Sequence, residues 1–343
     1  MGVRFLYENM KPGVDPLGPE SIIGFVTGPL VGTKSHGAGR FTVVSKSPLT
    51  GGWGDSNCGG RFGPALKKTG YDGVFIVGKA EKPVYLLITD ETVEFRDAGH
   101  LWGKDTLETE KIIQKEAGSN LKVAAIGQAG ETLSKIAGII HDHGRAAGRS
   151  GLGAVMGSKN LKAVAVYGTQ EVPIANEEGF NRVVAKMREC LKKLPEDVEN
   201  WRKLGTPMVY DLDVSIQDAP IQNWKGLYKE VYPLERARKL NGDAFIGYVK
   251  KRYGCAQCTL VCGAVLEYTD SNGNVIITHR PEYETIAAFG SNCLIDDVET
   301  IIKANELCNR FGFDTISVGV CIAFAMECYE KGILTEKDVT VSI

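Results

Sequence analysis

Residues 63–84 read GPALKKTGYDGVFIVGKAEKPV, and residues 153–174 read GAVMGSKNLKAVAVYGTQEVPI. Set one under the other without a gap, Gly63 falls on Gly153, Val74 on Val164, Gly78 on Gly168, Glu81 on Glu171 and Pro83 on Pro173. Each copy follows a polar, glycine-rich loop. The first is Ser56-Asn57-Cys58-Gly59-Gly60-Arg61; the second is Gly144-Arg145-Ala146-Ala147-Gly148-Arg149-Ser150-Gly151. Each loop opens onto a short helix and so offers backbone N–H groups and an arginine to an anion. Paired by a pseudo-twofold axis, the loops would hold two phosphorylated groups or two halves of one cofactor. A dinucleotide fold competes less well. Gly148-Arg149-Ser150-Gly151-Leu152-Gly153 has G-x-x-G-x-G order, and no acidic residue about 20 positions on closes a following strand. Tight turns alone would also use such glycines.

Around these copies the sequence reads as short strands broken by Gly and Pro. Residues 22–27, 41–45, 74–77 and 84–89 are β-branched or aromatic runs of strand length, and Asp90-Glu91 joins the last to 93–96 as a hairpin. A helix capped by Asp105 and ended by Gly118 interrupts them. After Pro173 the pattern changes. Asn176 caps a helix to about Leu191, Leu234–Arg252 contains a helical stretch, and 281–288, 298–311 and 317–331 carry helical periodicity. The expectation is an α+β protein with a β-rich domain over 1–172 containing an internal pseudo-twofold. A mainly helical domain, 173–343, follows.

Arg252-Tyr253-Gly254-Cys255-Ala256-Gln257-Cys258-Thr259-Leu260-Val261-Cys262-Gly263 places three cysteines in C-x2-C-x3-C spacing. Such thiolates converge on one soft centre, and the spacing fits an iron–sulfur cluster. A zinc ribbon would need a second C-x2-C pair, which is missing. A zinc site closed by His279, or three small core thiols, would also satisfy the residues. The other cysteines sit singly, mostly in apolar surroundings, and read as small core residues.

Composition narrows the classes further. With 40 basic against 42 acidic residues the net charge is −2, so no polyanion-binding face is announced and nucleic acid is not an expected partner. No stretch reaches the ~18–20 apolar residues of a membrane span, and the first residues lack a signal peptide's apolar core. Nine cysteines, an odd count, suit reduced thiols in a cytoplasm rather than a disulfide framework.

Taken together, these residues resemble the tungsten-containing aldehyde:ferredoxin oxidoreductase family. The matching motifs are Thr27-Gly-Pro-Leu30, Gly39-Arg40, Lys46-Ser-Pro-Leu-Thr-Gly51, Asn57 with Gly59-Gly60, and Gly70-Tyr-Asp72. They continue with Gly144–Arg149, Gly153–Ala163, the cysteine run, Pro281-Glu-Tyr-Glu284 and Gly312–Ser317. The resemblance implies a β-rich first domain with a pseudo-twofold and two pterin-dithiolenes sharing one tungsten, or molybdenum. It implies that Arg40, Asn57, Gly59, Arg145, Ala146, Gly148 and Arg149 contact the pterins, with the carbonyls of Asn57 and Ala146 on a bridging magnesium. The family's D-x-x-G-x-D motif falls at Asn309–Asp314, with Asn309 replacing the first Asp. Cys255, Cys258 and Cys262 would be three of four [4Fe–4S] ligands, and Glu284 a proton-transfer group near the metal. Where some relatives carry an interface metal ligand this sequence has Lys303, so that metal is not expected.

The activity implied is oxidation of an aldehyde to a carboxylic acid, with electrons leaving to ferredoxin or another iron–sulfur carrier. A homodimer or larger complex would be compatible. The alternatives are the tungsten subunit of an aromatic acyl-thioester reductase complex, or a non-catalytic iron–sulfur scaffold. Family members extend beyond both ends of this sequence, so the resemblance also implies an internal fragment whose fourth cluster cysteine lies outside it.

Overall fold

In the computed structural model, which describes residues 1–270 and 272–338, the chain divides into two units. The first comprises Met1–Pro195 with two later segments, Gly254–Thr259 and Asn309–Asp314; the second comprises the remainder. The first unit therefore runs past the compositional boundary near residue 172 and through the helix capped by Asn176.

The first unit opens with α1 (Gly2–Asn9), β1 (Ile23–Thr27), β2 (Phe41–Lys46), β3 (Trp53–Cys58), α2 (Phe62–Lys67) and β4 (Gly73–Ile76). These strands pair antiparallel in the order β3-β2-β1-β4. The hairpin β5 (Val84–Thr89) and β6 (Val93–Asp97) follows, then α3 (Thr106–Ala117). Asp105 caps α3 by accepting from Glu108 N. Next come β7 (Lys122–Ala125), α4 (Gln128–Glu131), β8 (Ile139–His141), β9 (Arg145–Ala147), α5 (Leu152–Ser158) and β10 (Leu161–Tyr167). Their order, β9-β8-β7-β10, is again antiparallel throughout, and α5 stands where α2 stands in the first set. The likeness of Gly63–Val84 to Gly153–Ile174 is thus a repeat of topology. β5 adds in parallel to β10, extending the second sheet to six strands.

Both copies feed one core. Phe25, Phe41, Phe62 and Leu66 from the first pack with Ile139, Leu152, Val155, Met156 and Val164 from the second, all fully or nearly fully buried. Two lysines of the Gly153–Ala163 motif serve this framework. Lys159 Nζ donates to the carbonyls of Ser21 (2.5 Å) and Gly78 (3.1 Å), and burial holds its pKa down at about 8. Lys162 Nζ, fully buried, donates to Glu131 Oε1 at 2.5 Å and to the Lys104 carbonyl at 2.8 Å. Beyond β10, α6 (Glu177–Lys192) is capped by Asn176, which accepts from Gly179 N.

The second unit contains α7 (Pro195–Leu204, its first residue counted with the first unit), α8 (Tyr210–Ser215), α9 (Leu234–Arg238), α10 (Tyr283–Phe289), α11 (Val298–Phe311) and α12 (Thr315–Glu330). The last turn of α11 belongs to the first unit. α10 and α12 approach closely; a Cβ at Gly319 would lie 2.6 Å from the Ala288 carbonyl. A three-stranded sheet also stands here: β11 (Val249–Tyr253), β12 (Gly263–Thr269) and β13 (Val275–His279). The helical stretch expected within 234–252 is α9. A 3-10 stretch (Gly242–Tyr248) follows it. Gly242 and Gly247 weaken helix there, and Val249–Tyr253 finds strand partners in β12. The Asn272-Gly273 pair lies in the β12–β13 hairpin, with Gly273 at φ +82°.

Candidate cofactor site

The two glycine-rich loops lie against each other in the first unit. Arg149 N donates to Ser56 Oγ at 3.1 Å, and Ser150 Oγ donates to the Asp55 carbonyl at 3.1 Å. Behind them Cys58 Sγ and His141 Nε2 are hydrogen-bonded at 3.1 Å, enclosed by the rings of Phe41 and Phe62. Burial pushes the Cys58 thiol up to about 12 and the His141 imidazole down to about 4, so both are neutral near pH 7. Gly60 sits at φ +109°, and a Cβ there would meet His141 Cε1 at 2.6 Å. Only glycine lets the first loop come this near the second.

Asn57 in β3 and Ala146 in β9 are both exposed beside this seam. Arg40 is exposed, bonded through Nε to Asn57 Oδ1 and through Nη2 to the Asn57 carbonyl at 3.1 Å. That carbonyl keeps a second lone pair. Arg145 is half-buried, Arg149 exposed, and Gly59 and Gly148 buried. A cavity of about 400 Å3 opens beside Arg40 and Asn57, walled by Thr27–Val31 and Ser35–Ala38.

Asn309, in the last turn of α11, and Asp314, in the turn that follows it, are both buried. The Asn309 carbonyl accepts from Thr106 Oγ1 at 2.8 Å, and Asp314 Oδ2 accepts from Arg149 Nη1 at 2.7 Å. A Cβ added to Gly148 would meet Asp314 Oδ1 at 3.1 Å. This turn, distant in sequence, therefore joins the second loop.

None of the three cysteines of the run is in a disulfide, and all three are half-exposed. Cys255 and Cys258 fall in the first unit and Cys262 in the second. Cys255 rests on the first loop: a Cβ at Gly59 would lie 2.5 Å from its Sγ, and Ala256 N donates to the Gly60 carbonyl at 3.1 Å. In the second unit Arg280, almost fully buried, donates from Nη2 to the Cys262 carbonyl and from Nη1 to the Lys203 carbonyl at 2.9 Å. Among the described residues no group of three or more His, Cys, Asp or Glu side chains converges on a single metal ion. Glu284 occupies the first turn of α10 and is exposed. A carboxylate in that first turn is favoured by the helix N-terminus.

Reading the sequence passed over His141, although two histidines flank Asp142 just before the second loop. It also missed Glu110 of α3, which burial, reinforced by Asp142, raises to about 7. No helix of the described residues is long and apolar enough to cross a membrane.

Sequence and structure comparisons agree with this architecture. Residues 1–168 match the aldehyde ferredoxin oxidoreductase N-terminal domain, and residues 182–342 match domains 2 and 3 of the same family. The chain belongs to the aldehyde ferredoxin oxidoreductase family, a family of oxidoreductases. It is 43% identical, over 98% of its length, to the tungsten-containing aldehyde ferredoxin oxidoreductase of Pyrococcus furiosus, covering 55% of that protein. It is 34% identical to the WOR-like subunit of an aliphatic sulfonate oxidoreductase from the same organism, over 95% of this chain and 53% of that one. Among solved structures, the active site complex BamBC of benzoyl coenzyme A reductase matches with a TM-score of 0.86 and 29% identity. That match covers 98% of this chain and 52% of the other. The chain thus spans about half the length of these relatives.

Proposed function

We propose that the full-length protein oxidises aldehydes to carboxylic acids at a tungsten bis-pterin centre and passes the electrons through a [4Fe–4S] cluster to a ferredoxin. The observation that carries this reading is the repeated topology that brings the loop of Asn57 and Gly59, with Arg40 bonded to it, against the loop of Arg145, Ala146 and Gly148. The residues suit such a group: guanidinium groups stand around a backbone bared by glycine, next to an open cavity. When bound, tungsten would supply two-electron chemistry and the cluster one-electron transfer.

The chain's own part is to hold and to screen. Arg40, Arg145 and Arg149 would neutralise phosphates through charge-assisted hydrogen bonds. The carbonyls of Asn57 and Ala146 are hard oxygen donors of the kind magnesium takes. Asn309 and Asp314 would meet a pterin from the turn docked on the second loop. Cys255, Cys258 and Cys262 would give three thiolates to the cluster, which needs a further ligand beyond them. Glu284 is assigned proton transfer through the family resemblance alone. Nine cysteines, none in a disulfide among the described residues, suit a cytoplasmic setting.

Metal analysis of the full-length protein tests the proposal. About one tungsten and about four irons per chain are expected, and Cys255→Ala should abolish or convert the cluster's electron paramagnetic resonance signal. Iron or zinc without tungsten would sink it. The likeness to BamBC favours a second reading, a subunit acting on an aromatic acyl thioester within a larger complex. Turnover of aldehydes against aromatic acyl thioesters separates the two.

A further inference from the structure

A second cavity, of about 220 Å3, opens in the first unit beside Cys258. Its lining among the described residues is Lys34, His36, Arg188, Gln257, Cys258 and Thr259, which includes three basic side chains and no carboxylate. The loop carrying Lys34 and His36 is fastened to the cysteine run. Gly37 N donates to the Gln257 carbonyl at 3.2 Å, and His36 Nδ1 lies 3.3 Å from Thr259 Oγ1. A Cβ at Gly39 would stand 2.9 Å from the Ala256 carbonyl oxygen, so this loop cannot be drawn back without loosening the run. Arg188 comes from α6, and Lys192, one turn further, shares its face. Lys34, Arg188 and Lys192 are exposed.

We propose that this basic surface is where the electron carrier docks, and that the carrier is a small acidic one-electron protein of the ferredoxin kind. The inference rests on the proposed cluster: Cys258 would be both a ligand of the electron donor and part of the cavity wall. With the cluster bound, each docking event would let the reduced cluster give one electron to the oxidised carrier. The chain as a whole has a net charge of −2, so the positive charge beside Cys258 is local. A local positive patch steers an anionic partner to one place and orients it there.

The test uses the full-length holoenzyme and its Lys34→Glu/Arg188→Glu variant. Binding of an oxidised acidic ferredoxin is measured by calorimetry at low and at physiological salt, alongside turnover with ferredoxin and with a viologen dye. The variant should bind ferredoxin roughly tenfold or more weakly at low salt and lose most of the salt dependence. KM for ferredoxin should rise, while dye-linked turnover and the cluster signal stay unchanged. An intact cluster with unchanged ferredoxin binding overturns the docking site alone. So does a variant that loses affinity for inorganic phosphate while ferredoxin binds as before, because the cavity would then be a small-anion site. A parent enzyme without any cluster signal overturns the cluster reading, and this site with it.

Discussion

Arg149 Nη1 donates to Asp314 Oδ2 at 2.7 Å, an ion pair between the second glycine-rich loop and a turn 165 residues further along the sequence. The carboxylate is buried and the guanidinium more than half exposed. Asp314→Ala should therefore cost about 1.5–3 kcal/mol in urea unfolding, the range for a hydrogen bond to a charged group. The turn's backbone bonds, Asp314 N to the Ile136 carbonyl and Gly138 N to the Gly312 carbonyl, remain to hold it. An unchanged unfolding midpoint would reduce the pair to a surface contact.

Lys162 and Glu131 form a buried pair, and Glu131 also accepts from Gly103 N. Replacing Lys162 by Met strands a carboxylate in the interior and should destabilise the first unit by about 3–5 kcal/mol. The double variant Lys162→Met/Glu131→Gln should recover much of that loss. If the double variant is as unstable as the sum of the single ones, the charges were not compensating each other.

Two buried groups oppose each other in pH dependence. Glu110 is raised from 4.5 to about 7. Between those values the native state keeps a proton that the unfolded chain releases, so this group makes stability fall as pH rises. His141 is lowered from 6.5 to about 4. In that window the unfolded chain takes a proton the native state refuses, so stability falls as pH drops. Glu110→Gln should leave only the histidine's slope, with stability rising from pH ~4 to pH ~6.5 and a gain on the order of 2–3 kcal/mol near neutrality. Chemical denaturation across this range reads it directly. Parallel profiles for parent and variant would disprove the assignment.

Thiol reactivity should follow burial. Cys58 and Cys293 are buried, with thiols raised to about 12 and about 11, whereas Cys190 and Cys321 are exposed. Brief treatment of the native chain with iodoacetamide should label Cys190 and Cys321 and spare Cys58 and Cys293. Peptide mass spectrometry distinguishes them, and early labelling of Cys58 would mean that the seam between the loops opens readily.

Much of the framework was legible because it rests on local signals. Asp105 and Asn176 cap the helices their positions announced, and the 84–97 hairpin forms across its Asp90-Glu91 turn. One of the matches that made the repeat visible, Gly63 with Gly153, marks a close approach kept in both copies, each glycine pressed against backbone of another strand or loop. β8 and β9 escaped notice because three polar-flanked residues carry no period. Lys159 belongs to a stretch that carries the family resemblance, yet its partners are carbonyls far away in sequence, which no local pattern encodes. The isolated cysteines were read as core residues. Cys58, Cys293 and Cys308 are buried, but Cys190 and Cys321 are exposed, since helix position rather than residue type decides it.

β5 pairs in parallel with β10, whose first residue aligns Leu161 with Val84. During synthesis β5 and β6 emerge early, yet one edge of β5 has no partner until residue 167 has left the ribosome. On the other side β6 is exposed along its whole length, with Glu94, Arg96 and Asp97 breaking up Val93 and Phe95. Those charges discourage pairing with another chain at that edge, while the β5 edge depends on timing alone. A pause in translation between β6 and β10 would lengthen the interval in which this hairpin can recruit a strand from a neighbouring nascent chain. Aggregation during expression should therefore respond to codon choice in that interval.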